Sequence, residues 1–255
     1  MHYLTAANTD VGIRKKVNQD AFCLKIAETE IGEVLMAVLC DGLGGLSKGE
    51  LASKTVIEGF SEWFDNRLPV LIQNNFDLVG VGQSWNTLIK EKNDKIFKYG
   101  VEHGIQLGTT VVAMLMIDGK AIICNVGDSR CYSIRSEFKQ LTRDHTVVEK
   151  EVSENKITRE QAENDPRSST LTQCIGTSAA VKPDFFRIVT ESDMGFLLCS
   201  DGFRHKVSEK EMLGVMQPKI LFDESTMRIA LLDLTELNKE RGETDNITTI
   251  LIKIM

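Results

Sequence analysis

No C-x-x-C pair, no H-E-x-x-H and no other zinc-ligand spacing occurs among the 6 cysteines and 4 histidines of this 255-residue chain. That excludes a zinc finger and a metalloprotease helix. Cys40, Cys124 and Cys199 lie inside apolar runs, where a thiol behaves as a small hydrophobe, and reduced, buried thiols are expected rather than disulfides or a catalytic cysteine. Excess positive charge is missing too. Lys and Arg number 30 against 37 Asp and Glu, a formal net charge of -7, and neither nucleic acid nor an anionic membrane rewards such a surface. No run approaches the roughly 20 apolar residues of a spanning helix, and MHYLTAANTD lacks the basic-then-apolar order of a signal peptide. A soluble cytoplasmic protein is the expectation, with no obligate oligomer. Internal repeats, low-complexity tracts and proline-rich segments are also absent, which excludes solenoids and long linkers.

What is present is apolar material, 42% of the chain, enough for a substantial core. In MLMIDGKAIICNV two apolar runs flank Asp118-Gly119, a pair suited to the positive φ angles of a tight hairpin. A second turn at Gly127-Asp128-Ser129 leads into CYSIR, so a three-strand antiparallel meander is expected from about Thr110 to Arg135. Helices frame it. Leu51, Ala52, Thr55, Val56, Gly59, Phe60, Trp63 and Phe64 recur at helical spacing, as do Trp85, Leu88, Ile89, Ile96 and Tyr99. A late stripe uses Met227, Ala230, Leu231, Leu234 and Leu237 before Gly242; all three read as core-facing helices. The most polar stretch runs from Glu149 to Pro166, where Thr158 and Gln161 make a capping-box pattern. Strand-like sequence resumes after it, so it reads as an excursion from one domain spanning 1–255 rather than as a linker.

Five aspartates stand where apolar runs begin or end: Asp20 in VNQDAF, Asp41 in VLMAVLCDGLGG, Asp128 in AIICNVGDSR, Asp201 in GFLLCSDGF and Asp245 in ETDNITTILIKIM. Carboxylates repel one another and resist leaving water, so such a set needs a compensating cation. The loop Asp41-Gly42-Leu43-Gly44-Gly45 fits neither phosphate-binding glycine pattern and opens on an acid that would repel phosphate. A single Asp-Gly pair is an ordinary turn; the repetition at Asp201-Gly202 and again at Asp245-Asn246 favours a metal site. Oxygen donors of this kind suit Mg²⁺ or Mn²⁺ and not zinc.

In TDVGIRKKVNQDAF, DGLGG, Gly108-Thr109-Thr110, GDSR at Gly127 to Arg130, LTRDHT at Leu141 to Thr146, SDG at Ser200 to Gly202 and Asp245-Asn246, the chain closely resembles the bacterial metal-dependent protein phosphatases of the protein phosphatase 2C type. The motifs span nearly all of it in order. The resemblance implies an α+β, four-layer α-β-β-α sandwich of two antiparallel sheets, with a flap at about residues 145–180. It implies two Mn²⁺ or Mg²⁺ ions and an optional third. Asp41 would bridge the first two, Gly42 would offer its carbonyl to one, and Asp201 and Asp245 would hold the other. Asp20 would ligate an ion or orient water on it, and Asp128 would join Asp201 at the third. Phosphorylated proteins, the products of a serine/threonine kinase, would be hydrolysed by direct attack of a metal-bridging hydroxide.

Two departures from the family pattern stand out. Where relatives carry an arginine five positions before the N-x-D aspartate, this chain has Lys15, with Arg14 one step earlier. Either would grip the substrate phosphate, and a lysine does so without bidentate geometry. Leu43 occupies the slot where animal members place a histidine proposed as general acid. Two alternatives stay open at this point: a noncatalytic regulator of the same fold that binds phosphoproteins, and a phosphatase acting on a small phosphoester or a phosphorylated regulatory factor.

Overall fold

The structure, a computed structural model, describes residues 1–43, 48–74 and 76–255. Gly44 and Gly45, the last glycines of the DGLGG loop, lie outside the described residues. The chain runs through β1 (Tyr3–Asp10), β2 (Ala21–Thr29), β3 (Gly32–Cys40), α1 (Gly49–Asn66), α2 (Leu68–Gln73), α3 (Leu78–His103), β4 (Val111–Ile117), β5 (Lys120–Val126), β6 (Arg130–Ile134) and β7 (Phe138–Gln140). It continues through α4 (Val147–Ser153), α5 (Arg159–Glu163), β8 (Asp184–Val189), β9 (Gly195–Cys199), α6 (Asp201–Arg204), α7 (Glu209–Met216), α8 (Glu224–Glu240) and β10 (Ile247–Ile254).

Two antiparallel sheets form, in the orders β1-β10-β9-β6-β7 and β2-β3-β4-β5-β8. The run Val34 to Cys40 shows no polar alternation because both faces of β3 are covered. Val34, Met36, Val38 and Cys40 pack with Val56, Phe60 and Trp85 under α1 and α3. Leu35, Ala37 and Leu39 pack on the other side with Phe196, Ile250 and Ile252 of the facing sheet. A third apolar layer joins Leu197, Leu251 and Ile247 to Met227, Leu231 and Leu234 of α8. The expected four-layer sandwich is therefore observed, and the three predicted helical stripes all face cores.

Local signals read correctly include the hairpin and the caps. Asp118 and Gly119 both take positive φ, 46° and 70°, and join β4 to β5 in register Ile117↔Lys120. Thr158 and Gln161 make both bonds of the capping box at α5, and Gly242 follows α8 with φ 81°. The three-strand meander is not observed. The turn at residues 127–129 carries the chain out of one sheet and into the other: β5 pairs with β4 and β8, whereas β6 pairs with β7 and β9. A turn of the same length can make a hairpin or a crossover between stacked sheets, and the choice rests on which strand is free to pair.

The aromatic centre of the helical layer is built on Trp85, fully buried on α3, with Phe60 and Trp63 edge-on to it at ring-centroid distances of 5.2 and 5.5 Å. Trp85→Ala removes the side chain on which both α1 aromatics rest. It is expected to lower unfolding free energy by roughly 3–5 kcal/mol, measured by chemical denaturation, with Trp85→Phe costing distinctly less.

Candidate metal centre

Antiparallel register decides where the five aspartates meet. Ala21 pairs with Cys40, so the start of β2 lies beside the end of β3 and Asp20 comes next to Asp41. Thr249 and Arg130 both pair with Cys199, which brings the start of β10 and of β6 to the end of β9. Asp245, Asp128 and Asp201 follow from that. Residues as far apart in sequence as 20 and 245 thus share one end of the sandwich, with donors from both sheets.

The electrostatic consequence is large. Both oxygens of Asp20 are buried without a hydrogen-bond partner. Burial, opposed in part by the Thr248 and Ser200 hydroxyls and reinforced by Asp201 and Asp245, pushes its carboxyl up to about 7. Those hydroxyls are committed elsewhere: Ser200 Oγ bonds the Thr248 backbone and Thr248 Oγ1 meets Thr9 Oγ1 at 2.8 Å. Burial and then the charges of Asp20, Asp201, Asp128 and Asp245 raise Asp41 well above the ordinary carboxylate range. Asp128 is pushed to about 7 by burial and by Asp201, against the pull of Arg204.

Several residues given no role by sequence reasoning hold this end in place. Asp41 N–H donates to Thr110 Oγ1 at 3.0 Å, Thr109 Oγ1 donates to Asp41 O at 2.8 Å, and Thr110 Oγ1 meets Ser129 Oγ at 2.7 Å. The hydroxyls of the G-T-T strand therefore clamp the end of β3 and tie it to the loop of Asp128. Asn246, 2% exposed, accepts from Gln19 N–H at 2.9 Å and donates to Val11 O and Val17 O at 2.9 and 3.3 Å. It fixes the loop that carries Lys15 to the base of β10. His145 Nδ1 accepts from Gly127 N–H at 3.1 Å while its Nε2 meets Asp184 Oδ2 at 3.1 Å, which holds the loop before Asp128. The motif residues Thr109, Thr110 and Asn246 were visible; their bonding was not.

Glycine serves close backbone approach here. A methyl at Gly42 would stand 2.4 Å from Gln19 O and 2.7 Å from Gly49, and one at Gly202 would stand 2.2 Å from Asn246 O. Room for a neighbouring backbone, beyond room for a cation, is thus what Gly42 provides.

Basic side chains lean on three of the acids. Lys15 Nζ lies 2.9 Å from Asp245 Oδ1, His205 Nε2 lies 3.5 Å from Asp201 Oδ2, and Arg204 Nη2 lies 3.6 Å from Asp128 Oδ2. Arg14 is exposed and makes no ion pair among the described residues. The carboxylates turn toward these bases rather than into a closed cage, and among the described residues no three such donors converge at ligand spacing. The donor set still fits hard divalent ions: all oxygen, with Asp20 and Asp41 desolvated and raised by their acidic neighbours, and the Asp20 oxygens unpartnered. Glu243, which sequence reasoning missed, is 4% exposed, faces His205 Nδ1 at 3.2 Å and accepts from the Thr244 and Asp245 N–H groups. A cleft of about 710 Å³ opens beside Asp128, lined by Arg130, Asp144, Arg159, Arg204 and His205 among others. On its far wall α4 and α5 are joined by the Glu149–Arg159 ion pair.

A family model described as protein phosphatase 2C matches residues 12–232. The chain belongs to the protein phosphatase 2C family. It is 31% identical over 250 residues to protein phosphatase PhpP of Streptococcus pneumoniae, covering 96% of this chain and 95% of that one. It is 31% identical over 223 residues to the serine/threonine phosphatase stp of Listeria monocytogenes, covering 86% and 84%. Among solved structures, a serine/threonine phosphatase of S. agalactiae superposes with TM-score 0.84 at 30% identity over 100% of both chains. The Mycobacterium tuberculosis serine/threonine phosphatase PstP/Ppp superposes with TM-score 0.81 at 27% identity, covering 99% and 98%. The resemblance carried by the motifs is borne out, and the sandwich seen here is that of the protein phosphatase 2C family.

Two outcomes test the centre. Asp20→Asn, which removes a buried unpartnered charge, should stabilise the metal-free chain by on the order of 1–3 kcal/mol while reducing its thermal stabilisation by added Mn²⁺, both read by calorimetry. Asn246→Ala should cost roughly 1–3 kcal/mol and make the segment 11–19 the first site of limited proteolysis.

Proposed function

We propose that this chain removes phosphate from phosphoserine and phosphothreonine in proteins, at a centre of two Mn²⁺ or Mg²⁺ ions. The observation that carries this is the meeting of Asp20, Asp41, Asp201 and Asp245 at one end of a protein phosphatase 2C sandwich, desolvated enough to raise Asp20 and Asp41. The names of the relatives support the substrate class. Asp41 would bridge the ions, with the Gly42 carbonyl on one of them, Asp201 and Asp245 on the other, and Asp20 ligating an ion or orienting water. When bound, the ions supply an activated water and neutralise the charge of the phosphate.

The protein's own contribution is positional. Lys15, on the loop that Asn246 holds and resting on Asp245, would swing from Asp245 onto a phosphate oxygen as substrate enters. Arg14, exposed on the same loop, would be the alternative grip on that phosphate. No side chain at Leu43 can donate a proton, so the leaving alkoxide takes its proton from water or another group. Residues 145–180 act as a flap, with the Arg130–Asp144 cleft between it and the centre as the approach for phosphopeptide. The substrates would be the products of a serine/threonine kinase, and the chain would act as a cytoplasmic monomer. No described helix is long and apolar enough to cross a membrane.

Initial rates on a phosphothreonine peptide, a phosphotyrosine peptide and a small phosphate ester, each with and without Mn²⁺, test the reading. Phosphothreonine turnover should require the metal and vanish on chelation. Asp41→Asn should lower kcat by at least about 10²-fold with an unchanged circular dichroism spectrum. Lys15→Ala should raise KM severalfold and Lys15→Arg should lower it, because a guanidinium grips phosphate bidentately. Metal binding without turnover on any phosphopeptide would favour the noncatalytic regulator instead.

A further inference from the structure

Arg204 stands beside Asp128, one of the two acids to which the family pattern would assign a third ion. That ion would be shared by Asp128 and Asp201, yet Arg204 Nη2 donates to Asp128 O at 3.1 Å and lies 3.6 Å from Asp128 Oδ2. Its side chain is only 14% exposed, and the carboxylate it faces is 7% exposed. A guanidinium carries its charge at any accessible pH and, once buried, has to stay on its carboxylate. Its position is set by the fold: α6 begins at Asp201 directly after β9, and Phe203, fully buried, locks the turn that aims Arg204 at the Asp128 loop.

Nothing nearby draws Arg204 away. The next acid, Asp144, lies 3.9 Å from Nη2, but Arg130 already forks it, with Nε 3.0 Å from both oxygens and Nη2 at 2.7 Å. Gln140 takes a further bond to it at 3.0 Å. A divalent ion on either oxygen of Asp128 would share that carboxylate with the guanidinium. A carboxylate has lone pairs for two cations, but Arg204 can neither shed its charge nor leave for solvent, so the ion would bind against its repulsion.

We infer that Arg204 is an internal cation that takes the third-ion position on Asp128, so that this chain is built for two divalent ions rather than three. This rests on the two-ion reading of the centre given above. Asp128 is then a positioning residue rather than a ligand. Its link through Arg204 to Asp144 and Arg130 joins the metal end of the sandwich to the cleft beneath α4 and α5.

Mn²⁺ alone is the probe, titrated into metal-free full-length protein, with free ion counted by electron paramagnetic resonance. Wild type should take up two ions per chain. Arg204→Ala should take up three, the third at least about tenfold tighter than any third binding by wild type, and Arg204→Ala combined with Asp128→Asn should return to two. Arg204→Met, which keeps the apolar stem, gives the same count and serves where the alanine variant does not fold, as judged by circular dichroism. Three ions on wild type, or an unchanged count in both folded Arg204 variants, would overturn the inference and leave the metal centre standing. No uptake by wild type would overturn the centre itself, and the inference with it.

Discussion

Carboxylates crowded out of water at one end of a sandwich are the constraint on which the rest of this structure depends. Asp20, Asp41 and Asp128 are buried, and the charges of their acidic neighbours add to the cost of ionising them. They are held together because antiparallel pairing gives them no other place: a strand that ends at Asp41 lies beside one that begins after Asp20, and the same holds for Asp201 and Asp245. The hydroxyls of Thr109 and Thr110, the amide of Asn246 and the close approach at Gly42 and Gly202 all act on backbone near those acids. They fix where the carboxylates stand, and the Asn246 N–H also donates to Asp245 Oδ1 at 2.8 Å.

That arrangement is stable only because three apolar layers offset it. The helical layer over β3 and β4, the interior between the sheets and the layer under α8 are each contiguous, and the centre takes donors from strands that belong to different layers. The site therefore exists only when both sheets are formed and stacked. Lys15 from the loop before β2, and Arg204 and His205 from the end of α6, lean on the acids.

Much of this was legible in the chain. The apolar run ending at Asp41 announced a strand end, the Trp63 and Trp85 stripes announced helices on a core, and Asp118-Gly119 announced a hairpin; each signal is local, a matter of spacing within a dozen residues. The crossing of the chain from β5 to β6 was not legible, because the turn at residues 127–129 has the same composition whether the next strand pairs back or leaves for the facing sheet. His145, which sits in no metal-ligand spacing, is held by hydrogen bonds to Gly127 and Asp184. His205 sits in none either, yet it lies between Asp201 and Glu243, since its partners are brought to it by α6 and by the segment before β10.

By itself the sequence determined which residues are acids at strand boundaries, which stripes are apolar and which family the motifs resemble, because these follow from residue type and spacing along one dimension. Only the tertiary structure decided which base rests on which acid. Lys15 could be read as a phosphate grip but not as a partner of Asp245, and Arg204 could not be read at all. Both are long side chains whose reach covers many positions, and the one they occupy is chosen by the packing of elements distant in sequence.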